Sequence, residues 1–215
     1  MKITSLPPQK HDPDRLSVFV DGEFRMGLAA EVALAAGLRV GETVTEARLA
    51  ELERRDLGWQ AREAALRLLA VRPRSAVELA RRLRMKGYGP EVAEEVIGRL
   101  RELGMIDDAV FAGMLARDRV RLKPQGSRRL ASELRQKGVD EETARAAIRE
   151  TMEGEETDER ELARRAAARW KPRAGEEPDR ARRRLHGFLA RRGFDGDVIR
   201  EVLNETLSAD EFDET

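Results

Sequence analysis

The sequence predicts a mostly α-helical protein, with three tandem three-helix modules in an extended curved array and a small N-terminal α+β head. A basic-Gly-apolar phrase occurs three times, at 83–97, 134–148 and 189–203. Charged residues make up 38% of the 215-residue chain and aromatic residues only 4%, as is typical of helices with modest cores. Apolar residues alternate at 16, 18 and 20 and again at 24, 26 and 28, which predicts strands in the head.

The N-terminal part is expected to be a leader followed by the head. Residues 1–13 contain three prolines and little apolar character, which predicts a disordered leader. The head covers 14–56. Apolar residues alternate on both sides of an Asp21-Gly22 turn and predict a β-hairpin, with Leu16, Val18 and Val20 before the turn and Phe24, Met26 and Leu28 after it. Because a lone hairpin is marginal in water, helices at 29–36 and 45–55 are expected to cover it.

The repeated phrase predicts two helices joined by a glycine turn. In each copy the glycine stands where a helix ends, and glycine adopts the left-handed backbone of that position without a Cβ clash. The apolar residue that follows is expected to pack on the leucine five positions before it. The three turns are Gly87-Tyr88 on Leu83, Gly138-Val139 on Leu134, and Gly193-Phe194 on Leu189.

A further helix is predicted before each of these hairpins, starting near an aspartate that caps free amides. The three aspartates, Asp56, Asp107 and Asp158, are spaced 51 residues apart. One module alone buries little apolar area, so we expect each to be stabilised by its neighbours. The predicted modules cover 57–104, 105–154 and 155–207, and an acidic tail follows over 208–215.

The sequence contains no motif for catalysis or for metal or cofactor binding. It has no cysteine, no phosphate-binding loop and no metal-ligand spacing, and its two histidines, His11 and His186, lie in unrelated places. We therefore expect neither an enzyme nor a cofactor. No apolar run approaches a membrane span and the N-terminus lacks an apolar signal core, which predicts a cytoplasmic protein without membrane contacts. We expect it to be a monomer.

The charges are grouped in blocks, although the net charge is zero. By count, residues 117–137 carry +6, residues 140–161 carry −7 and residues 160–192 carry +8. On a helix, the residues at 128 and 135, and those at 180, 184 and 191, form arginine stripes with too few nearby carboxylates to pair with all of them. These stripes and their basic neighbours are the candidate binding site: Lys123, Arg128, Arg129, Arg135, Lys137, Arg164, Arg165, Arg169, Lys171, Arg180, Arg184 and Arg191.

Unpaired arginine forks favour an anionic partner, which is either nucleic acid or an acidic protein groove. The alternative is that these residues are ordinary solvated helix faces, since only six of the 41 basic residues are lysines and a GC-rich genome produces such a bias. Trp170 is the one good candidate for stacking on bases, and a core role is favoured for it. Binding of single- and double-stranded DNA is therefore expected to be weak, salt-sensitive and sequence-nonspecific.

Three segments resemble the RecX family of bacterial regulators of the RecA recombinase: "AREAALRLLAVRPRSAVELARRLRMKGY", "LGMIDDAVFAGMLARDRV" and "GSRRLASELRQKGV". The resemblance covers 57–207, and the head is similar to an N-terminal extension of some members. It implies a protein that binds the RecA filament on DNA and inhibits its ATP hydrolysis, strand exchange and co-protease activity. On this hypothesis the second and third modules face the filament through the arginine stripes.

Two other functions stay open at this point. One is a sequence-nonspecific helical nucleic-acid-binding protein, such as a helix-turn-helix regulator. Its recognition helix would have to begin "GPEVAEEV", "DEETARAA" or "DGDVIREV", and DNA repels such acidic starts. The other is a protein-interaction helical repeat unrelated to recombination. Slowing of RecA ATP hydrolysis at sub-stoichiometric ratios distinguishes a filament regulator from both.

Overall fold

The computed structural model describes residues 1–209, with side chains as far as residue 206. In this part of the chain the prediction of a mostly α-helical protein with a small N-terminal sheet is confirmed. The elements are β1 (Ile3–Ser5), β2 (Pro8–Gln9), β3 (Asp12–Val20), β4 (Glu23–Ala29), α1 (Ala30–Ala35), α2 (Glu46–Val71), α3 (Ala76–Met85), α4 (Pro90–Glu102), α5 (Asp108–Leu122), α6 (Ser127–Gln136), α7 (Glu141–Gly154), α8 (Glu159–Ala167), α9 (Pro178–Arg191) and α10 (Gly196–Ala209).

The chain separates into two compact units. The first unit consists of Met1–Pro73 and Leu79–Ile106, and the second of Arg74–Glu78 and the chain from Asp107 onward. The three predicted modules correspond to α2–α4, α5–α7 and α8–α10. The predicted acidic tail lies outside the described residues from position 210. No helix among the described residues combines the length and apolar character that crossing a bilayer requires.

The predicted hairpin is present in the first unit. Strands β3 and β4 pair antiparallel around Asp21 and Gly22, whose φ angles are 51° and 89°. Both residues therefore adopt the left-handed conformation that a two-residue hairpin turn requires. Val18 and Leu28 are fully buried, and helices α1 and α2 pack on the sheet. The covering helices are thus also confirmed.

The prediction of a disordered leader over residues 1–13 is wrong. Strand β1 pairs antiparallel with β3, and Ile3, opposite Val20, is fully buried in the core of the first unit. The backbone N–H of Ile3 also donates to the carbonyl of Glu42 at 2.9 Å. Strand β4 pairs with one edge of β3, and the N-terminal strands β1 and β2 pair with the other edge. The composition of residues 1–13 does not reveal this strand, because its pairing partner, β3, lies later in the chain.

The prediction that Asp56 caps a helix is wrong, and the predicted boundary at residue 57 falls inside a helix. Helix α2 begins after Thr45, whose side chain accepts the N–H of Arg48, and continues through Asp56 without a break. Asp56 is 5% exposed, and its carboxylate accepts hydrogen bonds from Arg15 at 2.7 Å and from the N–H of Ala29 at 2.7 Å. This aspartate therefore joins the sheet to α2, instead of starting a helix.

The glycine turns are confirmed in all three modules. Their φ angles are 93°, 82° and 80°, in the left-handed region. After each glycine, the next backbone N–H donates to the carbonyl five residues earlier, at 3.2, 3.1 and 3.4 Å. The other two predicted caps are also confirmed, since Asp107 accepts from the N–H groups of Ala109 and Val110 and Asp158 accepts from that of Glu161.

Two of the turn glycines have a further role, which the sequence did not reveal. Within the second unit, Gly138 lies against Val77, where a Cβ added to the glycine would come 2.3 Å from the valine Cβ. The neighbouring Ser75 hydroxyl donates to the carbonyl of Lys137. The turn after α6 can therefore approach residues 74–78 only because it carries no side chain at this point.

The same arrangement occurs where the turn after α9 meets the start of α6. The N–H of Gly126 donates to the carbonyl of Arg192 at 2.9 Å. A Cβ on Gly193 would lie 2.5 Å from the backbone nitrogen of Arg129. A Cβ on Gly126 would lie 2.2 Å from the carbonyl oxygen of Gly193. Two backbones are thus in direct contact, and this contact joins the start of α6 to the turn after α9.

Candidate nucleic-acid interface

All twelve predicted site residues lie in the second unit, and their side chains fall into three groups. Four form ion pairs with described carboxylates: Arg128, Lys137, Arg164 and Arg184. Two donate to backbone carbonyls: Arg165 and Arg169. Six have no ion pair or hydrogen bond from their side chains to any described residue: Lys123, Arg129, Arg135, Lys171, Arg180 and Arg191.

The expectation of uncompensated charge is wrong for the ion-paired group. Arg164 makes two bonds to Glu205, at 2.7 and 2.8 Å. These bonds raise the pKa of Arg164 and lower that of Glu205. A second carboxylate, that of Glu161, lies 3.6 Å from the Arg164 guanidinium. Glu205 is 41 residues from Arg164, so a search for partners three or four positions away could not find it.

Two more cations of the predicted stripes are also partnered. Arg128 pairs with Asp195 at 2.5 Å, although its side chain is still 73% exposed. Arg184 pairs with Glu176, and its guanidinium lies 5.3 Å from the centre of the Trp170 ring. Trp170 packs half-buried against the core of the third module, which confirms the core role predicted for it. A stripe read from helical periodicity alone therefore overstates the free charge on α9.

Arg165 and Arg169 hold the end of a neighbouring helix. Their guanidinium groups donate to the carbonyls of Arg121 and Leu122 at 3.2 and 2.8 Å. These carbonyls belong to the last turn of α5, which has no internal partners for them and carries the negative end of the helix dipole. The two arginines consequently attach α8 to the C-terminus of α5.

The second unit contains a cleft of about 360 Å³, here called the cation pocket, where α5, α6, α8 and α9 approach one another. Within the part of the chain that the structure describes, no carboxylate lines it. Four of its basic residues were among the predicted set and came from two separate sequence blocks. The fifth, Arg192, was missed, although it occupies the basic position before the repeated glycine. The polar residues that line the cation pocket are Lys123, Gln125, Arg129, Arg169, Arg191 and Arg192.

The electrostatics of the cation pocket are unfavourable without an anion. Burial, with the charges of Arg191 and Arg169, lowers the pKa of Arg192. The Arg192 guanidinium lies 3.7 Å from the centre of the Phe188 ring, which offers partial compensation through a cation–π contact. Like charges held together in a cleft raise the local concentration of anions. The pocket can therefore bind a negatively charged group.

The remaining predicted residues do not converge on this pocket. Arg135 lies along a separate cleft between α6 and α7, together with Arg128 and with acidic residues such as Glu141. Lys171 and Arg180 are exposed and line neither cleft. The predicted site is thus divided into one concentrated cationic cleft and several scattered surface charges.

Comparison with known proteins identifies the family to which this arrangement belongs. Models for the first, second and third three-helix domains of RecX match residues 61–100, 107–148 and 157–203, and the model for the N-terminal domain of regulatory protein RecX matches 1–45. The regulatory protein RecX of Thermobifida fusca is 41% identical over 158 residues, which cover 72% of this chain and 83% of that protein. The chain belongs to the RecX family.

Other RecX proteins resemble the chain over its whole length. The regulatory protein RecX of Clostridium botulinum strain Alaska E43 is 28% identical over 217 residues, covering 99% of each chain. A crystal structure of regulatory protein RecX superimposes with a TM-score of 0.74 at 22% identity, covering 97% of this chain and 98% of the other. The structure of RecX from Lactobacillus salivarius gives a TM-score of 0.60 and covers 72% of this chain. These two structures show that the RecX fold extends to this sequence.

Proposed function

We propose that this protein inhibits a RecA recombinase by binding its filament on DNA, and thereby suppresses ATP hydrolysis, strand exchange and co-protease activity. Membership of a family of regulatory proteins supports this proposal. The observation that carries it is the cation pocket, in which five basic side chains converge and which no carboxylate of the described residues lines. A RecA filament on DNA carries phosphates that such a face can neutralise.

The chemistry of this face favours contacts with the nucleic-acid backbone over reading of bases. Arginine and lysine that neutralise phosphates release counterions, and this contribution to the free energy of binding does not depend on sequence. Among the described residues, the pocket has no aromatic lining residue on which a base could stack. Selectivity for a recombinase filament over free DNA would therefore have to come from additional contacts with the protein.

The proposal is tested by adding the full-length protein to RecA, single-stranded DNA and ATP and following ATP hydrolysis. A filament regulator slows hydrolysis when it is present at far fewer copies than RecA. A plain DNA-binding protein, the alternative function, slows it only in proportion to the DNA sites it occupies. Inhibition that disappears when DNA is in excess would contradict filament regulation and favour that alternative.

A charge-reversal variant tests whether this face makes the contact. Arg129→Glu with Arg191→Glu is expected to abolish inhibition, because both side chains line the cation pocket and neither forms an ion pair with a described residue. The matched control is Arg81→Glu with Arg82→Glu, which changes the net charge equally at exposed positions of the first unit. Equal inhibition by both variants and the wild type would refute the placement of the contact.

A further inference from the structure

The cation pocket has features of a built binding site that a merely basic surface lacks. Its basic side chains come from the α5–α6 turn, from α6, from the turn after α8 and from the C-terminal end of α9. Lys123 and Arg129 belong to one module, and Arg169, Arg191 and Arg192 to the next. The pocket therefore exists only because the two modules are held together.

The backbone segments that carry its side chains are held by contacts with one another. Gly126 and Arg192 share a backbone hydrogen bond of 2.9 Å, and the Gly193 turn lies against the backbone of Arg129. Arg169 is held at the end of α5 by its bond to the Leu122 carbonyl. Preorganised donors lose less conformational entropy on binding than mobile surface side chains do.

The polar groups of the pocket are incompletely satisfied. Lys123, Arg129 and Arg191 have no hydrogen-bond or ion-pair partner for their side chains among the described residues. All three side chains are exposed, so only solvent and counterions compensate their charges. An anion that accepts several hydrogen bonds would compensate these cations together.

We propose that the cation pocket is a phosphate-binding site, which takes adjacent phosphates of a nucleic-acid backbone or of a free polyphosphate. Arginine forks bind phosphate oxygens in pairs, and five cations exceed what a single carboxylate ligand would need. The cleft, at about 360 Å³, is near the lower limit for ligand pockets. Its lining offers no aromatic ring, so the phosphates and not the bases are recognised.

This site deepens the proposed function, because it names the chemical group that the filament-facing surface recognises. Its role in filament binding rests on the proposed function. Its binding test needs no recombinase, so the two proposals can fail separately. Inhibition by a wild-type protein that binds neither phosphate probe would refute the pocket alone. Intact phosphate binding without inhibition would refute filament regulation alone.

The test compares full-length wild-type protein with Arg129→Gln/Arg191→Gln and with the control Arg81→Gln/Arg82→Gln. One probe is inorganic tripolyphosphate, followed by thermal shift. The other is a fluorescent oligothymidylate, followed by anisotropy over a series of salt concentrations. We expect the pocket variant to bind oligothymidylate at least about tenfold more weakly, with a salt slope smaller by about 0.7 for each lost phosphate contact. The control is expected to retain both the affinity and the slope.

The two probes distinguish the source of the phosphate. Pocket-dependent binding of oligothymidylate alone identifies a phosphodiester backbone, and pocket-dependent stabilisation by tripolyphosphate alone identifies a free polyphosphate. Binding of both probes identifies a site for the shared phosphate chemistry. If the pocket variant binds both probes as the wild type does, or if the wild type binds neither, the proposal is wrong.

Stability of the variants is checked in the absence of ligand. Removing Arg191 relieves its repulsion with Arg192, so the melting temperature of the pocket variant should not fall. If the double variant does not fold, the single changes Arg129→Gln and Arg191→Gln are measured with the same probes. Each single variant is then expected to show a weaker affinity and a reduced salt slope.

Discussion

The backbone N–H of Gly126 donates to the carbonyl of Arg192 at 2.9 Å, although the two residues are 66 positions apart. This bond places the start of α6 directly on the turn after α9, with a glycine on each side of the contact. A Cβ on Gly126 would come 2.2 Å from the carbonyl oxygen of Gly193. The cation pocket depends on this contact, because the bond brings the side chains of α6 and α9 to the same cleft.

Substituting Gly193 by alanine should destabilise the protein more than substituting Gly87. Both residues have φ near 80–93°, so alanine at either position costs about 1–2 kcal/mol for the left-handed backbone. At Gly193 the new Cβ would also contact the backbone of Arg129, and such overpacking costs about 1–3 kcal/mol more. Urea denaturation measures the difference. Gly98→Ala, within α4 and in open space, is the control and should stabilise by roughly 0.5–1 kcal/mol. Equal losses at Gly193 and Gly87 would contradict the backbone contact.

Asp56→Ala should lower the free energy of unfolding by about 3–5 kcal/mol, because it leaves the partly buried Arg15 without its carboxylate. The backbone N–H of Ala29 would also lose its acceptor. The comparison is Asp158→Ala, which removes a helix cap and should cost about 1 kcal/mol. Chemical denaturation followed by circular dichroism checks both. An equally small effect at Asp56 would restore the simple capping role that the sequence suggested.

The Arg119–Glu133 pair should make stability depend on pH. The hydrogen bond from Arg119 lowers the pKa of Glu133, so the stabilisation is present above the unfolded-state pKa and is lost as the pH falls through the lower folded value. Glu133→Gln should therefore cost roughly 1–2 kcal/mol at neutral pH and nothing in strong acid. Denaturation at a series of pH values measures this difference. Glu150→Gln, at an exposed position of α7, is the matched control for the loss of one carboxylate.

Arg184→Ala should destabilise the third module, whereas Arg180→Ala should not. Arg184 bonds to Glu176 and stacks near Trp170, so its loss should cost about 2 kcal/mol. Arg180 is exposed with no described side-chain partner, and a change there should stay within about 0.5 kcal/mol. Thermal melting followed by circular dichroism checks both. Similar losses for the two variants would show that Arg184 is not specifically held.

The fold was largely predictable, because most of its signals are local. The Asp21-Gly22 turn, the three glycine turns and the caps at Asp107 and Asp158 depend on the conformations of a few consecutive residues. Helical periodicity likewise placed most of the helices. These features follow from backbone sterics and from hydrogen bonds that a short segment satisfies by itself.

The candidate site was predictable only as a set of charges. Its members were recognised as basic, but their partners were not, since Glu205 reaches Arg164 from 41 residues away. The assignment of Arg192 to the cation pocket depends on the same kind of long-range contact.

The sequence by itself determined the helical modules, the turns between their helices and the resemblance to RecX, because local backbone preferences and repeated phrases are written in consecutive residues. The tertiary structure alone decided that the N-terminus forms a strand and that α2 continues through Asp56. It also decided which arginines keep free guanidinium groups. The physical reason is the same in each case. Strand pairing, burial and ion pairing depend on which segments distant in sequence come into contact, and tertiary packing determines those contacts.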